Sequence, residues 1–184
     1  MQINFNENKV IEMLSPTELI FNIEALSPKD LCAAKKLQMN VFPYTHDKEK
    51  LLLDASLNKR KYLDIYKDNE LNDIKYWILK DTQNNIIGLT GIYSEQDDDI
   101  DMCWLGWFCI DESYRGQGYA KKLLNFSIDI AKKMKKQYLH LYTYDSKEYN
   151  HAVNMYEQYN FIRYDVKKKK YKKDLYFKKM LKGL

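Results

Sequence analysis

Apolar and polar residues follow two different periods along the chain, and the longest uncharged stretch lies near its middle. Residues 102–110 contain no charged side chain and no polar alternation, which is typical of a strand buried on both faces. Residues 120–134 instead repeat apolar side chains every three or four positions, with lysines and other polar residues between them. This second pattern predicts an amphipathic helix directly after a central strand and a short loop.

The rest of the sequence predicts six more strands and three more helices. Strands are predicted at residues 19–26, 74–79, 86–93, 138–143, 161–166 and 175–181, and helices at residues 27–42, 47–66 and 149–160. Ser27 is expected to cap the first helix, with Pro28 in its first turn. The order is strand, two helices, three strands, helix, strand, helix and two strands. It predicts an α/β fold of the α+β type, a central mixed sheet flanked by helices.

Length and composition favour one globular domain. A chain of 184 residues can bury a sizeable core, and no repeat or glycine- and serine-rich linker divides it. We therefore expect a single domain over residues 1–184, with a loose lead-in at residues 1–18. The net charge of +4, from 30 basic and 26 acidic side chains, is too small to indicate a nucleic-acid partner. The lysine-rich residues 167–173 fit a solvated hairpin turn better than an anion-binding surface.

The cysteines and histidines lack the spacing of a metal site, so no metal is expected. Cys103 and Cys109 lie on one predicted strand, where a rise of about 3.3 Å per residue separates their Cα atoms by roughly 20 Å, beyond disulfide reach. All three cysteines, Cys32 included, are expected to be buried free thiols, which favours a cytoplasmic protein. The first residues lack the pattern of a signal peptide, and residues 102–110 are too few to cross a membrane.

A glycine-containing loop joins the predicted central strand to the helix that follows. Its sequence is Arg115-Gly116-Gln117-Gly118-Tyr119-Ala120. A dinucleotide-binding fingerprint would need glycine at position 121, which is Lys121, and a Walker loop would need Gly-Lys followed by Ser or Thr. Both motifs are absent from this sequence. Free backbone N–H groups and the positive end of the helix dipole still favour an anion at such a loop.

Two motifs of this chain resemble those of a known family. Arg115-x-x-Gly118-x-Ala120 after a buried strand resembles the acyl-CoA pyrophosphate loop of the GNAT superfamily of N-acetyltransferases. That family often ends its last helix with Ala-x-x-x-Tyr-Glu-x-x-Gly-Phe, and residues 152–161 read Ala-Val-Asn-Met-Tyr-Glu-Gln-Tyr-Asn-Phe. Asn160 replaces the glycine, a change that the left-handed end of a helix tolerates. The order of predicted elements is also similar to the GNAT fold over nearly the full length.

The resemblance implies an N-acetyltransferase that uses acetyl-CoA as its cosubstrate and transfers the acetyl group to a primary amine by direct attack on the thioester. It assigns these residues to acetyl-CoA: Phe108, Ile110, Arg115, Gly116, Gln117, Gly118, Tyr119 and Ala120. It also implies that a backbone N–H near Ile110 points at the thioester carbonyl. Tyr156 matches the general acid, because a phenol with a reference pKa of about 10 can protonate a thiolate. Core packing is the alternative role for Tyr156, since it lies on the apolar stripe of its helix.

The general base and the acceptor are not specified by any motif. No carboxylate lies in residues 102–110, so a water relay or a more distant acid is implied. The acidic residues at 95–101 could attract a cationic amine, although a solvated turn explains them better. The acceptor is a small-molecule or peptidic amine. A homodimer, a non-catalytic acyl-CoA sensor of the same fold and a nucleic-acid-binding module stay open as alternatives, the last with little support from the charge.

Overall fold

The structure, a computed structural model, describes residues 22–165 and 174–181. Within these residues the chain forms seven strands and five α-helices. The strands are β1 (Asn22–Ala25), β2 (Leu71–Lys80), β3 (Ile86–Glu95), β4 (Met102–Ile110), β5 (Tyr138–Tyr144), β6 (Ile162–Tyr164) and β7 (Asp174–Met180). The helices are α1 (Leu31–Val41), α2 (Leu52–Leu57), α3 (Leu63–Asp68), α4 (Tyr119–Lys133) and α5 (Asn150–Gln158).

All seven strands belong to one sheet with the order β1-β2-β3-β4-β5-β7-β6. Neighbouring strands run antiparallel except β4 and β5, which are parallel and are connected through α4. The predicted fold class, a mixed sheet flanked by helices, is confirmed. β4 is the middle strand, as the uncharged residues 102–110 predicted.

β4 and β5 pair with each other only where they begin. Their ladder joins residues 102–104 to residues 138–140 and stops there, although both strands continue for several residues. Beyond the ladder, residues of both strands line one open cleft. The sheet is thus divided at its only parallel pair in the described residues, with a gap between the carboxyl ends of β4 and β5.

β4 contains a bulge opposite β3. The pairing advances by two residues along β3, from 89 to 91, while it retreats by three along β4, from 109 to 106. Trp107 and Phe108 therefore face the single residue Thr90, which is the pattern of a β-bulge. Side chains change faces across it: Leu105 and Phe108 both pack on the side of α4, whereas Trp107 packs on the side of α1.

Helices cover both faces of the sheet. On one face Leu123, Leu124 and Ile128 of α4 are buried against the central strands. α1, α2 and α3 cover the other face. A buried hydrogen bond of 2.8 Å between the hydroxyls of Thr90 and Ser127 joins β3 to α4. Because a buried hydroxyl pair is satisfied in only one docking position, this bond fixes α4, and with it the loop before it, relative to the sheet.

The predicted helix over residues 47–66 is wrong as a continuous element. The chain instead forms a 3₁₀ turn at Glu49–Leu51, then α2, a second 3₁₀ turn at Lys59–Tyr62, and α3. Asn58 causes the break: its backbone leaves the helical region at φ −146° and ψ 77°, and its side chain accepts a hydrogen bond from the Lys61 N–H. Asparagine competes with helical hydrogen bonds in this way because its amide can bond to nearby backbone.

The first helix begins at Leu31 and not at Ser27 as predicted. Residues 27–30 form a turn in which the Ser27 hydroxyl donates a 2.5 Å hydrogen bond to Asp30. Lys80, buried on β2, makes ion pairs with Asp30 and with Glu24 of β1. Hydrogen bonds from Ser27 and Lys80 outweigh the opposing effect of burial and lower the pKa of Asp30. A side chain from a distant strand therefore contacts the residue that directly precedes this helix.

Several smaller predictions can be compared with the described residues. Cys103 and Cys109 are buried free thiols, but Cys32 is exposed because it lies on the outer side of α1. No helix in residues 22–165 or 174–181 is long and apolar enough to cross a membrane. The lead-in at 1–18, the first part of the strand predicted at 19–26, and the lysine-rich turn at 167–173 lie outside the described residues.

Candidate active site

A cleft of about 2040 Å³ opens where β4 and β5 separate. All but one of the residues that the sequence assigned to acetyl-CoA or catalysis line it: Phe108, Ile110, Arg115, Gly116, Gly118, Tyr119, Ala120 and Tyr156. Gln117 is the exception, since its side-chain amide donates a 3.3 Å hydrogen bond to the Ser113 carbonyl instead. Residues that are up to 48 positions apart in sequence therefore meet at one site.

The glycine loop ends at the start of α4. Gly118 is the N-terminal cap of this 15-residue helix, with φ at 84°, and Gly116 has φ at 76°. A Cβ at either position would meet no atom within 4 Å, so backbone conformation, and not crowding, requires glycine here. The first N–H groups of an α-helix have no partner within it, and the first residues of α4 line the cleft, which makes this a favourable place for an anion.

Two side-chain contacts hold the glycine loop against the sheet. The Tyr114 hydroxyl donates a 2.8 Å hydrogen bond to Asp81 in the turn between β2 and β3. Arg115 donates from Nε to the Ile110 carbonyl at 3.3 Å. Hydrogen bonds from Asn85, Tyr114 and backbone N–H groups lower the pKa of Asp81 to about 2. Asp81 therefore stays ionised at neutral pH and keeps accepting the bond from Tyr114.

The bulge at Trp107 and Phe108 is the irregular part of β4 that faces the cleft. One residue of a bulge has no partner on the neighbouring strand, so its N–H can serve a ligand. The resemblance put such an N–H near Ile110. Ile110 lies opposite Gly88 on β3, and the following Asp111 donates its N–H to the Ile87 carbonyl. Ile110 and Gly88 are therefore a non-hydrogen-bonded pair, so the Ile110 N–H points away from β3, toward the side on which the β4–β5 ladder has ended. The interruption of the β3–β4 ladder ends at Phe108, two residues before Ile110.

Tyr156 lies on α5 and is 6% exposed. Its ring packs edge-on against Phe108, with the centroids 6.3 Å apart, and against Phe161 at 5.8 Å. Asn160 has φ at 60° and ends α5 in the left-handed conformation, which brings Phe161 back against the helix. Burial, with a smaller effect of the nearby Cys109, raises the pKa of Tyr156 above its usual range. The phenol is therefore neutral and holds a proton at the cleft.

The opposite half of the cleft is lined by a group that we call the tyrosine wall, formed by Tyr76, Tyr93 and Tyr142. Glu49 and Glu95 line the same half. The sequence did not identify the wall, because each tyrosine comes from a different strand and follows no motif. Two glycines inside predicted strands, Gly91 and Gly106, were the sequence feature that pointed to this wall. A glycine within a strand often marks a place where another group packs closely against the backbone.

The acidic stretch between β3 and β4 contributes only Glu95 to the cleft lining. Asp98 accepts hydrogen bonds from the Glu95 backbone N–H at 2.7 Å and from the Trp104 indole at 3.1 Å, so it stabilises its own turn. Asp97, Asp98, Asp99 and Asp101 lie outside the cleft lining, so attraction of a cationic amine by this stretch stays a prediction. In residues 22–165 and 174–181, no three His, Cys, Asp or Glu side chains are grouped to hold a metal ion.

Comparisons with known proteins agree with this geometry. Residues 37–161 match the model of the acetyltransferase (GNAT) family. Comparison with curated protein sequences gives no match.

Three solved structures share the fold. A GNAT-family acetyltransferase from Staphylococcus aureus Mu50 aligns with a TM-score of 0.69 at 18% identity, covering 88% of this chain and 99% of that chain. A spermidine N-acetyltransferase from Vibrio cholerae, in complex with CoA and spermine, aligns with a TM-score of 0.62 at 19% identity, covering 88% and 95%. The ribosomal-protein-S18-alanine N-acetyltransferase of Escherichia coli aligns with a TM-score of 0.62 at 18% identity, covering 86% and 91%.

The family match covers more than half of the chain and includes the central strand, the glycine loop and α5. The family resemblance and the prediction of an acetyltransferase are confirmed. The chain belongs to the acetyltransferase (GNAT) family.

Proposed function

We propose that this protein uses acetyl-CoA to acetylate a primary amine, by direct attack of the amine on the thioester. One observation carries the proposal: the glycine loop before α4, the bulge of β4 and the buried Tyr156 all face the same cleft. Acetyl transfer needs a place for the pyrophosphate, a donor for the thioester carbonyl and a proton for the leaving sulfur. For one bound acetyl-CoA, the glycine loop can hold the pyrophosphate, the bulge can donate to the thioester carbonyl, and Tyr156 can protonate the sulfur.

The residues at the start of α4 fit the pyrophosphate of acetyl-CoA. The exposed backbone from Gly116 to Ala120 offers N–H groups, those of Gln117 and Tyr119 included, at the positive end of the helix. The space beside Gly116 and Gly118 is open, so a phosphate can approach the backbone closely. Arg115 adds a positive charge and a charge-assisted hydrogen bond. Under this proposal, Phe108 and Ile110 lie beside the pantetheine arm.

Two groups of the chain would act on the reacting atoms. Acetyl-CoA supplies the activated thioester when it is bound. A backbone N–H released by the bulge at Trp107 and Phe108 donates to the carbonyl oxygen and stabilises the negative charge that develops there. Tyr156 gives its proton to the sulfur, and the burial that raises its pKa keeps that proton in place at neutral and mildly alkaline pH.

An amine acceptor is supported by the neighbours of this fold. The Vibrio cholerae protein is named for spermidine and the Escherichia coli protein for an alanine of a ribosomal protein. Both acceptors present a primary amine, one on a small molecule and one on a polypeptide. The fold therefore serves both classes of acceptor, and the likeness by itself selects neither for this chain.

The test is an acceptor panel. The full chain would be incubated with acetyl-CoA and, separately, with spermidine, glucosamine, lysine and alanine amide, while free thiol and acetylated amine are both measured. We expect equal amounts of thiol and N-acetyl product with at least one amine, and saturable acetyl-CoA binding by calorimetry. Binding of CoA without acetylation of any amine would favour the acyl-CoA sensor. Absence of CoA binding would contradict both functions.

A further inference from the structure

The tyrosine wall depends on two glycines that face each other across β3 and β4. Gly91 pairs with Gly106, and neither has a side chain to fill the surface of the sheet. A Cβ on Gly91 would come within 2.4 Å of the Tyr76 ring, and a Cβ on Gly106 within 3.3 Å of the Tyr93 ring. The missing side chains therefore let both rings lie close against the sheet.

This arrangement puts the Tyr76 hydroxyl next to the bulge. The hydroxyl oxygen lies 3.5 Å from where a Gly106 Cβ would be, and Gly106 directly precedes Trp107, the first residue of the bulge. Tyr76 is itself 3% exposed. A hydroxyl at this place lies where an amine must approach if the bulge holds the thioester carbonyl, as the proposed function requires.

Glu49 brings a negative charge to the same hydroxyls. It lies in the 3₁₀ turn that follows α1, is half-buried and lines the cleft. Burial is the main cause of the raised pKa of Tyr76 and of Tyr142, and the charge of Glu49 adds to it in both cases. Glu49, Tyr76 and Tyr142 all line the same cleft, although they come from the turn before α2, from β2 and from β5. Their raised pKa values keep Tyr76 and Tyr142 neutral at physiological pH, and Glu49 is the carboxyl-bearing residue of this group.

We propose, resting on the proposed function, that Glu49 and the hydroxyls of Tyr76 and Tyr142 form the site for the acceptor's ammonium group, and that Glu49 takes its proton. The acceptor class is accordingly an aliphatic primary amine that is protonated in solution. The aromatic rings of the wall also suit a cation, since ring faces attract positive charge. This assigns the general base for which β4 itself has no carboxylate.

The proton and bond changes balance with these residues alone. The ammonium gives one proton to the Glu49 carboxylate, and the neutral amine nitrogen then bonds to the thioester carbon as the carbon–sulfur bond breaks. Sulfur leaves with the bonding electron pair and takes a proton from Tyr156. The nitrogen loses its second proton, which returns to Tyr156 through water, and Glu49 releases its proton to solvent. The products are the N-acetyl amine, CoA thiol and one proton.

Other charged and titratable residues lie around Glu49. His46 and Lys50 lie on its own segment, Asp68 ends α3 and Glu70 follows it, Glu95 ends β3, and Tyr76 and Tyr142 line the same cleft from β2 and β5. A pH profile of the parent protein is therefore a sum of several groups. The comparison between matched variants isolates the contribution of Glu49.

The test replaces the charge and keeps the shape: Glu49→Gln. With the panel amine that the parent acetylates fastest, kcat at pH 7 should fall by about 10²–10⁴-fold, the usual contribution of a positioned acid or base. The remaining rate should rise about tenfold per pH unit toward the pKa of the amine, because only amine already neutral in solution can react. Binding of the same protonated amine to the CoA complex, measured by calorimetry, should weaken at least tenfold.

Asp97→Asn is the matched control, since it removes one negative charge from an exposed position outside the cleft lining. It should keep the parent kcat and the parent pH profile. Unchanged melting temperature and acetyl-CoA affinity in Glu49→Gln would show that the fold and the other half of the cleft are intact. If Glu49→Gln keeps the parent profile and amine affinity while the parent acetylates amines, the Glu49 site is wrong and the proposed function stands. If the parent acetylates no panel amine, the proposed function itself fails.

Discussion

The two halves of the cleft are built in different ways. The half at α4 comes from one short segment, residues 115–121 without Gln117, whose backbone conformation includes two positive φ angles. The half at the tyrosine wall consists of the buried Tyr76 of β2 and the half-buried Tyr93 of β3 and Tyr142 of β5, together with Glu49. Local conformation determines the first half, and packing between distant segments determines the second. Changes in one half should therefore alter acetyl-CoA binding, and changes in the other should alter the acceptor.

Tyr156 lies where the halves meet, and its substitution should have the largest effect. Tyr156→Phe removes the hydroxyl and keeps the ring contacts with Phe108 and Phe161. We expect kcat in single turnover to fall by about 10²–10⁴-fold, with unchanged affinity for acetyl-CoA. Because burial raises the pKa of this phenol, the parent rate should show no loss due to Tyr156 up to pH 9.5. A Phe variant with the parent rate at every pH would make Tyr156 a core residue only.

Gly118→Val should weaken acetyl-CoA binding in the α4 half of the cleft. Valine resists the φ of 84° found at Gly118, and forcing a non-glycine residue into a sparse region costs about 1–3 kcal/mol. Acetyl-CoA affinity, measured by calorimetry, should fall by about 10–100-fold.

Gly118→Asn is the control for this substitution. Asparagine tolerates the left-handed region, and the space beside Gly118 is empty, so this variant should retain most of the affinity. Equal losses in both variants would mean that the side chain itself, and not the backbone conformation, blocks the ligand.

Gly91→Ala should weaken binding of the acceptor and leave binding of acetyl-CoA unchanged. Its Cβ would lie 2.4 Å from the Tyr76 ring, so the ring must move, and overpacking of this kind costs about 1–3 kcal/mol. We expect a lower melting temperature and an acceptor KM raised about tenfold, while the acetyl-CoA dissociation constant stays at the parent value. Adding Tyr76→Leu should recover part of the melting temperature but not the KM. A change in acetyl-CoA affinity would contradict the independence of the two halves.

Tyr114→Phe should give the smallest effect. It removes only the hydrogen bond from the Tyr114 hydroxyl to Asp81, and such a bond contributes about 0.5–1.5 kcal/mol. The glycine loop should become less ordered, so the KM for acetyl-CoA should rise about two- to tenfold at unchanged kcat. A fall in kcat with unchanged KM would show that Tyr114 does not act through the loop.

The sequence predicted the α4 half because that half is local. The uncharged strand, the glycines and the amphipathic helix follow one another between residues 102 and 134, and each has its own pattern. It also predicted the left-handed end of α5 at Asn160, where φ is 60°. Patterns within one segment carry this kind of information, since they reflect the period and conformation of that segment alone.

The bulge, the wall and the helix boundaries near the amino end could not be predicted in the same way. The bulge at Trp107 and Phe108 is a mismatch between two strands, so neither strand's sequence contains it alone. Glu49 was assigned to a long helix, and the break at Asn58 separates that helix into short pieces. Lys80 of β2 forms an ion pair with Asp30, the residue before α1. Each of these features requires knowing which segments are neighbours.

α4 serves two purposes at once, and this links occupancy of the cleft to the stability of the whole domain. Its first residues line the cleft, while Leu123, Leu124 and Ser127 anchor its inner side in the core. A ligand that binds only the folded state at 100 times its dissociation constant adds about 2.7 kcal/mol to the free energy of unfolding. The melting temperature of this protein would then rise with the concentration of acetyl-CoA, without any change in its fold.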